Sequence, residues 1–484
     1  MRKATIAMLL LLVISIGGVC VAAAGVHAPY DQVVLKEKTV YGNREYAEGL
    51  DIQIQASYAS HLFWDTTYST GTESQAETDF LFSARKIHDE VLAGYQGIRL
   101  DNQIGYFYEP SEEEAHGVAR AYRELAETVP AGQEREATIH LKDYTDTYPM
   151  TVDVDLPGIG MGLDWNFQMN TPAEEHDNLN EIEKDIIRLQ EYFAIPVLDE
   201  ETYSLSVGKD ENGNVTHMSG GTGDGDSFWI QVINAIADDA CYFTFDTHTS
   251  EGNVVDTSKL PEGYGLFCVT FDENYDENDP MVLEEMDFGE PEMVYAVDPS
   301  AYIQGLYLNE DQSQLYLLTE EDHKLYLTVI DRDTMDTLQK MQIHDWEEEH
   351  GTVHEVHMKE DFWVLWLSEG RLALLEKAEN GTFNLVFCEL YNHGEAGDYS
   401  MSVYAAVDWN GERLAVVDQN FPEYTFDTHY KSRSKSCGFW LLVYDDEGTM
   451  VYAGEYYSSL TPQDRSNNCN PFGMKPFTVS WKEE

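Results

Sequence analysis

Two hydrophobic patterns divide this chain. From Ala4 to Ala28 the apolar run is interrupted only by Thr5, Ser15 and His27 and sits behind Arg2 and Lys3. As a helix such a run reaches about 37 Å at 1.5 Å per residue, enough to cross a hydrocarbon core of roughly 30 Å. It reads as an uncleaved single-pass anchor occupying residues 1–29. The alternative is a cleaved signal peptide, with Ile6 to Ile16 as its apolar core, Gly17 and Gly18 breaking it, and Ala22 and Ala24 as small residues for the peptidase. A lipidated cysteine is disfavoured because Cys20 follows Val19 rather than a small residue. In both main readings the basic end stays in the cytoplasm and residues 30–484 lie outside the cell membrane.

Beyond the leader the apolar positions shift from mixed periodicities to short alternating runs. Residues 30–226 read as a mixed α/β region. Ser111 and Glu114 form a capping box, Val118, Tyr122 and Leu125 follow at helical spacing, and the helix should stop near Pro130. Thr171, Pro172 and Glu174 open a second predicted helix with Leu179, Ile182, Ile186, Leu189 and Phe193 on one face, closed by Pro196. ATIHL and MTVDVDL, joined by DYTDTYP, suggest one hairpin. TYSLSVGKDENGNVTHMS suggests another, with Asn212 and Gly213 expected to supply positive φ. The glycine-rich segment 220–226 is the expected boundary.

From 227 to 484 strand-like runs take over. Three sets of four can be superposed: YIQGLYL, QLYLLT, KLYLTVID and TLQKMQI; TVHEVHM, FWVLWL, RLALLEK and FNLVFCEL; MSVYAAV, RLAVVD, GFWLLVYD and MVYAGEYY. Their second runs centre on Leu315, Trp363 and Leu414, a repeat of about 50 residues, as in β-propeller blades. A looser fourth set takes CYFTF, YGLFCVTF, MVLEEMD and MVYAV, and FTVSW at 477–481 could close a ring on an earlier blade. The expected class is mainly β, with β-propeller-like repeats and a smaller mixed α/β N-terminal portion. A pair of β-sandwiches is the structural alternative.

Charge narrows the partners. With 89 acidic against 29 basic residues the formal net charge is −60, so nucleic acid and anionic lipid meet like charge. Cationic peptides and divalent metal do not. Beyond Cys20 lie Cys241, Cys268, Cys388, Cys437 and Cys469, with no C-x-x-C pair. The first three sit in apolar runs and read as buried small hydrophobes, while Cys437 and Cys469 are the candidate disulfide pair.

Candidate chemistry is sparse. His344, Asp345, His350, His354, Glu355 and His357 form the densest group of metal-capable side chains, and His344, His350, His354 and His357 are the candidate zinc ligands. H-E-V-H is not a zincin motif, because its histidines are three apart in a predicted strand and point to opposite faces. Asp272, Asn274 and Asp276 alternate like the first ligands of a calcium loop, but Glu277 stands where the turn glycine belongs and Leu283 where the bidentate glutamate should be. Gly158, Gly160 and Gly162 have the wrong spacing for a dinucleotide fingerprint and read as a bend after a strand. Trp64 and Asp65, in an aromatic and hydroxyl-rich strand, and Trp346 are candidate ligand contacts, since exposed rings beside carboxylates suit sugars.

HLFWDTTYSTGT, DYTDTYPMTVDVDLP with Gly158, and IPVLDEETYSLSVGKDENGNV resemble stretches of an uncharacterised family of membrane-anchored extracytoplasmic proteins from Gram-positive anaerobes. The resemblance covers mainly the first half. It implies the anchor-plus-exterior layout and brings no activity or catalytic residues. The expectation is therefore a binding or sensing module at the cell surface, meeting a surface protein, peptide or glycan and touching the membrane only through its N-terminal helix. Calcium or zinc are the cofactors the candidate sites would admit. A surface hydrolase of glycan or peptide, with paired carboxylates defined only in space, and a structural accessory of a membrane complex are the alternatives.

Overall fold

The computed structural model describes residues 2–27, 35–58, 62–71, 75–82, 97–102, 117–147, 150–156, 159–161, 197, 199, 201–222, 229–248, 263–270, 291–346, 350–391, 405–419, 438–458 and 472–482. The chain is mainly β and builds several four-stranded antiparallel sheets of the kind found in propellers. The predicted helix 171–195, the acidic loop with Asp272, Asn274 and Asp276, and Cys437 and Cys469 lie outside the described residues.

The first helix runs from Arg2 to His27. Leu11, Leu12, Val13, Ile14, Ile16, Val19 and Val21 on it are each more than 50% exposed. Among the described residues no helix is long and apolar enough to cross a membrane. In this first helix only Ile6, Met8 and the stretch 11–21 have described side chains, a run shorter than a membrane span.

Contacts divide the chain into two compact units, one made of residues 1–93 and 352–484, the other of residues 94–351. Among the described residues the first contains three sheets. One has the strands Val353–Met358, Phe362–Leu367, Arg371–Lys377 and Phe383–Leu390 in order. A second joins Ala406–Trp409, Arg413–Gln419, Gly438–Asp445 and Met450–Ser458, with Leu35–Gly42 added as a fifth strand. In the third, Phe472–Trp481 pairs with Leu50–Tyr58, which continues into Leu62–Ser69 and Gln75–Phe82.

The middle sheet explains why RLAVV and FWLLVY are continuous apolar runs rather than alternating ones. Successive side chains point to opposite faces, and here both faces are covered. Ala415, Val417, Leu441 and Val443 pack with Leu50, Ile52, Phe477 and Val479, while Leu414, Val416, Trp440 and Leu442 pack with Val364, Leu372, Leu374 and Phe387. The added N-terminal strand is pinned by Glu37, which accepts from Arg44 Nε at 2.7 Å and from the Tyr68 and Tyr452 hydroxyls at 3.2 and 3.0 Å.

In the second unit, Tyr302–Leu308, Gln314–Glu321, Lys324–Asp331 and Thr337–Asp345 form the sheet that the first superposed set predicts. It shares a core with the sheet Trp229–Ile236, Ala240–His248, Gly265–Thr270 and Glu292–Ala296, through Leu306, Leu315, Leu317 and Ile330 against Ala235, Tyr242 and Leu266. The looser fourth set thus needs correcting. Trp229–Ile236 opens that sheet, and MVYAV supplies its last strand.

A second correction concerns the expected hairpin of ATIHL and MTVDVDL. Glu134–His140 pairs with Thr202–Lys209, whereas Met150–Leu156 pairs with Gly97–Asn102 and Ile159–Met161, so the two runs belong to different three-stranded sheets. The hairpin Thr202–Lys209 and Val215–Thr222 is as expected, but only Gly213 takes positive φ, at 89°. Asn212 instead donates its amide to Asp210 Oδ1 at 2.9 Å. The same device, an Asp or Asn accepting the amide two residues on, recurs at Asp331, Asn380, Asn410 and Asp445. The helix Gly117–Thr128 ends just before Pro130 as predicted and buries Val118, Ala121, Tyr122 and Leu125 beside Thr202–Lys209.

Candidate functional site

The strand Gln314–Glu321 turns into Lys324–Asp331 through only two residues, because Glu321 sits opposite Lys324 in register. Those residues, Asp322 and His323, both take positive φ, at 50° and 63°. Two-residue hairpins favour this primed geometry because it matches the twist of the strands, and they normally place glycine in it. Asp and His tolerate the left-handed region better than most side chains, yet each such residue costs on the order of 1 kcal/mol. The chain keeps that strain at the point where it delivers His323.

Immediately before the turn, Glu320 is buried to 1% exposure. Its Oε1 accepts a hydrogen bond from His350 Nδ1 at 2.6 Å when that nitrogen carries the proton, and lies 3.9 Å from His323 Nδ1. Among the described residues, Glu320 Oε2 is buried without a hydrogen-bond partner, as is His323 Nδ1. A carboxylate held out of water is costly unless a cation or donors compensate it. The two imidazole rings stand 4.8 Å apart, tilted by 39°, and the Tyr302 ring lies 4.4 Å from His350. Both histidines are about half exposed. The site therefore has a buried acidic floor and two imidazoles open to solvent.

Packing holds these parts in place. The Trp346 amide donates to the His323 carbonyl at 2.8 Å, and Gln304 Nε2 donates to the Gly351 carbonyl at 3.2 Å. Gly351 lies so close to the Trp346 indole that a Cβ there would come within 1.8 Å of Cε2. Chain that passes this close to a buried ring admits only glycine, and His350 is the residue before it.

Of the four candidate zinc ligands, the structure brings His350 alone into this cluster. Glu320, His323 and His350 offer ligand atoms, one from each, within 4.8 Å of one another. His344 lies edge-on to the Trp346 ring at 5.5 Å. His354 and His357 belong to the other compact unit. His354 tilts over the Trp366 ring at 4.7 Å. His357 is driven down to a pKa of about 4, first by burial and then by Lys359, which suits an uncharged core group.

Trp346, expected as a ligand contact, is 1% exposed and presents no face to solvent; it supports the turn instead. Trp64 and Asp65 lie in Leu62–Ser69, in register with Phe80 and Asp79, and their side chains lie outside the described residues. Glu320 and His323 escaped sequence reasoning because they lie about 30 residues from His350. The available signal was EEDH between two apolar runs, a turn too short for its lack of glycine.

The cysteines offer no competing chemistry among the described residues. Cys241 and Cys268 are free thiols, and Cys388 lies in the strand Phe383–Leu390. Burial pushes Cys241 up to about 12 and the other two up to about 11, so they remain protonated and weakly nucleophilic.

No family model matches this chain, and no curated protein matches it. Among solved structures, the chain is similar to a Bacteroides fragilis protein of proposed 6-phosphogluconolactonase activity, at 11% identity over 90% of this chain and 98% of that one, with a TM-score of 0.28. It is also similar to the periplasmic gluconolactonase of Pseudomonas aeruginosa, at 13% identity over 56% and 81% of the two chains, TM-score 0.25. A third similarity is to the β-propeller domain of Myceliophteria thermophila Cps50, at 9% identity over 52% and 82%, TM-score 0.23. Likeness at this level carries no argument about activity.

Proposed function

We propose that this chain is a single-pass anchored, extracytoplasmic binding or sensing protein built on propeller-like sheets. The observation that supports it is the first helix, whose described apolar side chains are turned outward rather than packed. Apolar side chains left exposed, as these described ones are, need a different solvent, and lipid is the natural one. The charge of −60 on the chain keeps the exterior part away from anionic lipid and draws cationic groups of a surface protein, peptide or glycan. Trp64 and Asp65 are the proposed aromatic contact for such a ligand.

The test is protease treatment of intact cells carrying the full chain with a C-terminal tag. Loss of the tag from intact cells, with an N-terminal stub retained in alkali-washed membranes, is the expected result. A tag protected until lysis, or full-length protein released by the wash, would overturn the reading. One observation favours a hydrolase as the second reading. The Glu320–His350 hydrogen bond resembles the carboxylate-oriented imidazole of a general base.

A further inference from the structure

We infer that Glu320, His323 and His350 hold a divalent transition-metal ion, zinc or a close neighbour, with an open coordination position facing solvent. The inference does not depend on membrane anchoring. Three features carry it. The first is convergence: one ligand atom from each residue lies within 4.8 Å of the others, and bonds of about 2.0–2.2 Å to a shared ion require only small side-chain rotations from there. The second is the buried Glu320 carboxylate: its Oε1 faces both imidazoles, at 2.6 Å from His350 Nδ1 and 3.9 Å from His323 Nδ1, while its Oε2 has no hydrogen-bond partner among the described residues. A buried carboxylate only half satisfied beside two imidazoles is suited to a cation. The third is construction: a strained glycine-free turn fixes His323, and the Gly351–Trp346 contact fixes the chain beside His350.

The donor set selects the metal. Two imidazole nitrogens and one carboxylate suit zinc, iron, cobalt or nickel, whereas calcium takes six to eight oxygens. Three protein ligands leave a position for water or an exogenous ligand, as in catalytic rather than structural zinc sites, and the half-exposed imidazoles place that position outward. His350 ligating through Nδ1 would pass its proton to its own Nε2, so Glu320 exchanges a hydrogen bond for a metal bond, and the site keeps one net positive charge that an anionic fourth ligand would neutralise.

Cobalt(II) titration of the full chain in detergent, with excess magnesium to occupy surface carboxylates, tests this. One equivalent should bind with visible d–d absorption bands, and added azide should shift the bands through the open position. H323A and H350A should each weaken binding by more than about 100-fold, beyond the effect usual for outer partners, and E320Q should do so while keeping an unchanged circular dichroism spectrum. H354A should leave the titration as it is. The inference fails if the wild-type chain shows no bands. It fails equally if the bands survive H323A, where the half-exposed turn residue leaves little risk of misfolding, or if H354A abolishes them. Bands unmoved by azide would overturn the open position.

Discussion

Gly351 and His357 show how single residues are constrained by what surrounds them. A methyl group at Gly351 meets the Trp346 indole at 1.8 Å, and overpacking of this kind costs about 1–3 kcal/mol. Gly351→Ala is therefore expected to lower the urea midpoint of the unit that contains it, read by tryptophan fluorescence, and to weaken cobalt binding at the adjacent His350. His357 tests burial by pH. Its folded pKa of about 4 lies below the ordinary 6.5, so between those values the unfolded chain binds a proton that the folded chain excludes. The stability from neutral His357 is present above pH 6.5 and drains away as pH falls toward 4, by about 3 kcal/mol in all. Glu355, raised by burial, has the opposite sign, being relieved on protonation, so the two oppose each other as pH falls. Urea midpoints measured from pH 7 to 5 should fall for the wild type and stay nearly level for His357→Gln.

At the scale of elements, local signals were most legible where the partner strand was the next one along the chain. The three superposed sets each became a sheet, because consecutive runs pair by default, with Asx-type turns joining several of them. The rule failed for Glu134–His140, whose partner Thr202–Lys209 lies some 60 residues on; alternation defines which face a strand buries but not which neighbour it finds. The Asp322–His323 turn was illegible for another reason: sequence patterns look for glycine there, and this turn retains strain instead. Asp322→Gly should stabilise the hairpin by up to about 1 kcal/mol, read as a rise in urea midpoint, with cobalt binding by His323 retained. A fall in the midpoint would show that Asp322 contributes more than its backbone costs.

For the whole molecule, the controlling fact is that one compact unit is assembled from both ends of the chain. Phe472–Trp481 completes the sheet begun by Leu50–Tyr58, and Leu35–Gly42 extends the sheet that ends in Met450–Ser458. Such pairing closes a long loop and slows folding. Removing residues 472–484 takes Phe477 and Val479 from the core shared with Leu50 and Ile52. Limited proteolysis should then degrade 35–93 and 352–458 while 94–351 persists; unchanged resistance of the first unit would count against this account.

The sequence by itself determined the apolar leader, the mainly β class, the blade-like spacing and the strand character of FTVSW, because each rests on periodicity or turn chemistry within a short window. It also marked His350 as a metal-capable residue. Only the tertiary structure decided that Glu320 and His323 are its companions, that His344, His354 and His357 are not, and that Trp346 supports the turn. Ligand sets are defined by distance in space, and which side chains converge is fixed by strand register and by close contacts such as Gly351 on Trp346, neither of which a linear pattern contains.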